Sequence, residues 1–142
     1  MDFLTKELIY QKTPQQLTGL LYEVCIDHLQ EAIHCIEANQ YPKANTTLQK
    51  VNDIIERLGV GLNYEAGVIA DQLDTLYNYM ANQVIMGNLK KDVPMLQEVL
   101  KICEQLASAW NEAINMGDIE GQRLHHNKTN AYEQNVMVLN RD

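Results

Sequence analysis

Apolar residues recur every three or four positions along most of the chain, which is the spacing of residues on one face of an α-helix. No segment competes with this pattern by showing the strict alternation that predicts a β-strand. The predicted helices run from Pro14 to Asn39, from about Pro42 to Leu58, from about Glu65 to Met86 and from Asp92 onwards. Long helices with short connections favour antiparallel neighbours, so the sequence predicts an all-α, antiparallel up-and-down four-helix bundle.

Residues with strong helix-end preferences mark the limits of these segments. Thr13 is placed as the N-cap of the first helix, with Gln16 as its capping-box partner. Asp92 is placed as the N-cap of the fourth helix. Gly59 and Gly87 stand where the second and third patterns fade, and we expect them to end those helices.

The first predicted helix carries two apolar stripes, although one stripe is enough to pack a helix on a core. One stripe consists of Leu17, Leu20, Leu21, Val24, Ala32 and Cys35. The second stripe consists of Tyr22, Ile26, Leu29 and Ile33. We expect the second stripe to need a partner, which is a second core neighbour, another copy of the chain or a bound guest.

The third predicted helix repeats this pattern in a milder form. Its inward stripe is expected to be Ile69, Leu73, Leu76, Tyr77, Met80 and Val84. Val68, Tyr79 and Met86 fall on a different side, so this helix is also expected to show apolar surface. Isolated apolar residues are common on protein surfaces, and an absence of any binding role for these three is an equal alternative.

Both ends of the chain depart from the bundle pattern, which we assign to residues 13–116. Residues 1–12 form a predicted N-terminal arm that is too apolar to stay in water, since it contains Leu8, Ile9 and Tyr10. Residues 117–142 are mostly polar and are predicted to be a weakly structured tail or a short docking helix, with one late apolar run at 136–139.

Composition and charge exclude several kinds of partner. The chain has 142 residues, enough for one compact domain, and a net charge of -8 with its cations scattered. This argues against nucleic acid as a partner. Neither a secretory signal nor the ~20 apolar residues of a membrane span occurs, so no membrane insertion is expected. Three cysteines without a C-x-x-C pair indicate reduced thiols and a cytoplasmic protein.

The sequence contains few residue patterns that indicate a metal site or a catalytic site. Glu31 and His34 form a single Glu-x-x-His pair, whereas a carboxylate-bridged metal site in a bundle needs two, so no metal is expected. His28 falls within the core stripe and is expected to be a hydrogen-bonded interior imidazole or one at the edge of the core. No nucleophile, phosphate-loop or cofactor motif is present, which predicts a protein without catalysis or cofactors.

Specific residues in four stretches go beyond helical periodicity. They are Tyr10 with Thr13 to Leu17 and then Leu21 and Tyr22; Gly59 to Gly67 with Leu62 and Glu65; Leu76 to Met80; and Trp110. In this order and at these separations the chain resembles the flagellar secretion chaperone family FliS, over about residues 10 to 113. Thr13 stands where many members have Ser, and Glu23 and Val24 stand where many have Asp-Gly, but neither exchange damages a helix.

The resemblance implies a cytoplasmic helical bundle around which the disordered C-terminal segment of flagellin wraps, partly as helices laid into apolar grooves. Covering that segment would prevent premature polymerisation and keep flagellin competent for export. The resemblance also implies that the N-terminal arm covers part of the same surface when flagellin is absent. Flagellar export apparatus components are a possible further class of partner that the sequence leaves open.

The predicted flagellin-binding residues are Ile9, Tyr10, Tyr22, Ile26, Leu29, Ile33 and Tyr79. Their assignment assumes that the second stripe of the first helix is exposed, and the alternative is that these residues pack against neighbouring helices. Two other functions stay open at this point. One is a histidine-phosphotransfer bundle that uses His34, and the other is a structural homodimer that buries the second stripe.

Overall fold

The computed structural model describes residues 13–62 and 69–126, with side-chain surroundings described as far as residue 116. Its four helices are α1 (Pro14–Glu37), α2 (Tyr41–Val60), α3 (Ala70–Lys90) and α4 (Val93–His126). Their antiparallel packing, with no strand in these two ranges, confirms the predicted fold class. No described helix is long and apolar enough to cross a membrane.

The contacts divide the chain into two compact units, residues 1–108 and 109–142, and helices α1 to α3 pack with the first part of α4 in the first unit. The predicted arm, with Ile9 and Tyr10, lies outside the described residues, as do Val68 and the apolar run at 136–139. Helix α4 continues past residue 116, which is the predicted boundary between the bundle and the tail. The predicted domain limits stay a prediction.

Two of the predicted helix caps are present. The Gln16 backbone N–H donates to Thr13 Oγ1 at 3.1 Å, and the Thr13 backbone N–H donates to Gln16 Oε1 at 3.1 Å. This reciprocal pair satisfies backbone donors that the first turn of α1 leaves without a helical partner. At the start of α4 the backbone N–H of Met95 donates to Asp92 Oδ1 at 3.2 Å.

The two glycines do not end their helices as predicted. Gly59 lies inside α2, which continues to Val60, and Gly87 lies inside α3, which continues to Lys90. Gly87 is buried against α4, and a Cβ at this position would stand 2.8 Å from Leu96 Cδ2. The missing side chain therefore serves the close packing of α3 on α4, a long-range role that helix-end preferences do not report.

Buried contacts place α1 against all three other helices. It packs along α2; the hydroxyl oxygens of Tyr22 in α1 and Tyr77 in α3 lie 2.5 Å apart. The sulfur atoms of Cys25 in α1 and Cys103 in α4 lie 3.3 Å apart. The hydrogen bond with Cys103, followed by burial, raises the pKa of Cys25 well above its usual value, so this thiol stays neutral.

The expected exposure of the second α1 stripe is therefore wrong. Tyr22, Leu29 and Ile33 are buried, and Ile26 is only partly exposed. The physical reason is that α1 meets neighbours on several sides, so both stripes are used in the core. In α3, Tyr77, Met80 and Val84 face inward as predicted, whereas Ile69 at its start is exposed.

Gly87→Ala is expected to lower the free energy of unfolding by about 2 kcal/mol, because overpacking against Leu96 outweighs the gain in helix propensity. Leu96 is fully buried and has little room to shift. Gly59→Ala is the matched control, since no described atom lies within 4 Å of its Cβ position. That variant is expected to gain about 0.5–1 kcal/mol. Urea unfolding of both proteins measures the difference, and equal effects would contradict the close approach at Gly87.

Candidate partner-binding surface

The outer side of α3 carries a continuous uncharged surface. No Asp, Glu, Lys or Arg occurs from Thr75 to Leu89, which is about four helical turns. Four large apolar side chains on this stretch are exposed: Tyr79 (44%), Ile85 (53%), Met86 (36%) and Leu89 (76%). At 100° per residue these four side chains span an arc of about 120° around the helix. We call the four residues the α3 apolar face. It holds half of the eight exposed large apolar side chains in the described part of the chain.

The Tyr79 end of this face is held by a polar network with α4. The Tyr79 hydroxyl donates to Glu98 Oε1, and Gln83 Nε2 donates to the same oxygen at 3.1 Å. The hydrogen bond to the Glu98 carboxylate, then desolvation, raises the pKa of Tyr79 above its usual value, so the phenol stays a neutral donor. The ring is therefore tethered at its hydroxyl.

A groove between α2 and α3 adjoins the other end of the face. Its volume is about 410 Å³ and its lining residues are Asn45, Leu48, Gln49, Asn52, Ile85, Asn88, Leu89 and Lys91. Ile85 and Leu89 belong to both the groove and the α3 apolar face. Asn88 Nδ2 donates to Asn45 Oδ1 at 2.7 Å and so joins the two helices at this end. Apolar walls with a few fixed amide groups are typical of a site for a polypeptide segment.

The structure brings together only part of the predicted site. Tyr79 is exposed and lies on the α3 apolar face together with Met86. Ile26 is partly exposed on α1, while the other three α1 residues lie inside the core. Ile85 and Leu89 also lie on the α3 apolar face, although helical periodicity did not predict them as site residues. The signal that could have found them is the absence of charge from Thr75 to Leu89, which is unusual for the solvent side of a surface helix.

The titratable side chains of the described residues offer no comparable site for a metal ion. No three His, Cys, Asp or Glu side chains in this part of the chain are grouped so that they could hold a metal ion. His34 is exposed. His28 lies at the edge of the core with its Nδ1 3.8 Å from Glu31 Oε2, and burial followed by the charge of Lys50 lowers its pKa. A lowered pKa keeps this imidazole neutral, as suits a packing residue.

Comparison with known proteins agrees with this arrangement. A family model described as flagellar protein FliS matches residues 5–117. The flagellar secretion chaperone FliS of Bacillus subtilis (strain 168) is 32% identical over 102 residues, which cover 72% of this chain and 76% of the relative. The FliS of Vibrio cholerae serotype O1 is 33% identical over 101 residues, covering 70% and 74%. The FliS of Escherichia coli is 29% identical over 108 residues, covering 75% and 79%.

These matches confirm the resemblance that Tyr10, the Thr13 to Leu17 stretch and Trp110 carry in the sequence. The matched residues include α1, α2, α3 and most of α4, and therefore the whole α3 apolar face. FliS chaperones are not enzymes, in agreement with the absence of catalytic motifs from the sequence. The chain belongs to the FliS family of flagellar proteins.

Proposed function

We propose that this protein is a cytoplasmic export chaperone that binds the disordered C-terminal region of flagellin, prevents its premature polymerisation and keeps it competent for export. The observation that carries the proposal is the α3 apolar face, an exposed and uncharged surface on a chain of the FliS family. The description of its relatives as flagellar secretion chaperones supports the role in export.

The energetics of such binding favour a wide apolar surface. Ordering a disordered segment costs about 2–5 kcal/mol of the gross interaction energy. Full burial of one large apolar side chain contributes about 1.5–3 kcal/mol, so four such side chains are enough to offset that ordering. A client segment that forms a helix would present apolar residues to Tyr79, Met86 and Leu89 along one line and would shield its own apolar face from other copies.

The contact residues that we propose combine the sequence and the structure. Tyr79 and Ile26 offer surface in the absence of a client. Tyr22, Leu29 and Ile33 have almost none, so their role as contact residues stays a prediction that requires α1 to move. Ile9 and Tyr10 are proposed to cover the client surface when flagellin is absent, and this gatekeeping also stays a prediction.

Calorimetric titration with a peptide of the flagellin C-terminal region tests the proposed function. We expect saturable binding with a negative heat-capacity change, since apolar surface is removed from water. A peptide of the same composition in scrambled order is the control. Absence of binding to the wild-type protein, or equal binding of the scrambled peptide, would contradict the proposal.

Measuring the molecular mass of the protein with and without the same peptide distinguishes a chaperone from a homodimer. A chaperone that uses the α3 apolar face is expected to form a complex with one peptide on each chain. A tight dimer that does not dissociate when the peptide is added would instead indicate that a second copy covers the apolar surface.

A further inference from the structure

Among the described residues, Lys91 is a cation without an anionic partner, and it lies at one end of the α2–α3 groove. Its Nζ donates to Asn88 Oδ1 and lies 6.0 Å from the centre of the Tyr41 ring. No carboxylate of the described residues lies within ion-pair distance of this nitrogen. In a chain of net charge -8, a half-buried cation held by an amide and an aromatic ring is a favourable position for an external anion.

The backbone at Lys91 also differs from what local energetics favour. Its φ of 52° and ψ of 45° are left-handed, at a helix end where Gly or Asn is the usual residue. A side chain with a Cβ in this conformation costs about 1–2 kcal/mol. Such strain is common at functional positions. Because α4 starts two residues later, at Val93, the position of Lys91 is fixed by the short connection between α3 and α4.

Asn52 supplies an acceptor on the α2 side of the same groove. Its Oδ1 is buried and accepts no hydrogen bond within the described residues. A buried polar atom without a partner costs free energy, so a donor from a bound molecule would be stabilising. The groove thus offers an apolar wall of Leu48, Ile85 and Leu89, one acceptor for an N–H group and one cation.

We propose that this groove binds the C-terminal end of the client polypeptide and that Lys91 pairs with its free α-carboxylate. The inference rests on the proposed function, in which the client contributes its C-terminal region. Whatever its sequence, the end of a polypeptide carries one terminal carboxylate and backbone N–H groups. These are the two partners that Lys91 Nζ and Asn52 Oδ1 need, and a cation at the C-terminal end of a bound helix is favourable as well.

The test compares two flagellin C-terminal peptides of identical sequence, one a free acid and the other a C-terminal amide, by calorimetric titration. Amidation is expected to weaken binding to the wild-type protein about fivefold to tenfold, the effect of losing one charge-assisted contact. Lys91→Gly is expected to bind both peptides equally, with the affinity that the wild type has for the amide. Because glycine accepts the left-handed backbone, Lys91→Gly should unfold at the same or a higher temperature than the wild type.

Two further variants complete the comparison. Lys91→Gln leaves a side chain of similar reach but no charge, and it is expected to lose the discrimination as Lys91→Gly does. Lys90→Gln removes the same charge from the neighbouring exposed residue and is expected to keep the discrimination. Equal binding of acid and amide to the wild type, or discrimination that survives in both Lys91 variants, would overturn the proposal while leaving the proposed function intact. Failure of both peptides to bind the wild type would overturn both.

Discussion

Aspartate in place of both Met86 and Leu89 is expected to weaken binding of the flagellin C-terminal peptide by at least about 100-fold. Each substitution removes a large apolar side chain from the α3 apolar face and adds a carboxylate that a client would have to desolvate. Loss of two apolar contacts at about 1.5 kcal/mol each already accounts for a factor of this size. Calorimetric titration measures the change.

The stability of this double variant should change little, because both side chains are exposed in the chain alone. Gln30→Asp with Gln105→Asp is the matched control, since it adds the same charge at two exposed helical positions of α1 and α4. The control is expected to bind the peptide within about twofold of the wild type. Similar losses of affinity in both double variants would indicate a general charge effect and would contradict the α3 apolar face as the binding surface.

The helices could be predicted from the sequence because their signals are local. Helical periodicity and the capping preferences of Thr13 and Asp92 depend on residues within one or two turns, and both caps are present. Gly87 shows the limit of such signals. A glycine near a fading pattern indicates a helix end by local rules, whereas its role here depends on Leu96 in the next helix.

The candidate site was predicted only in part for a similar reason. Periodicity tells which side of a helix is apolar but not how many neighbours that side meets in the fold. The second stripe of α1 was therefore expected to be exposed, although Tyr77 of α3 meets Tyr22 in the core. On α3 the same reasoning identified Tyr79 and Met86. It missed Leu89 because the predicted helix ended at Met86, whereas α3 continues to Lys90.

Leu29→Ala is expected to lower the free energy of unfolding by about 3 kcal/mol, because it removes a fully buried side chain and leaves a cavity in the core. Ile26→Ala, one turn away on the same stripe, is expected to lower it by only about 1 kcal/mol, since Ile26 is partly exposed. Urea unfolding without any client measures both. Equal small losses would mean that Leu29 is not packed in the core.

The Leu29→Ala variant also tests where the client binds. At a temperature where this variant is fully folded, it is expected to bind the flagellin peptide with the affinity of the wild type, because the Leu29 side chain contacts the core. Contact with a client would require the stripe to leave the core, at about 1.5–3 kcal/mol for each large side chain, whereas the α3 apolar face is already exposed. A loss of affinity above about tenfold in folded Leu29→Ala would show that the second stripe of α1 leaves the core on binding and contacts the client.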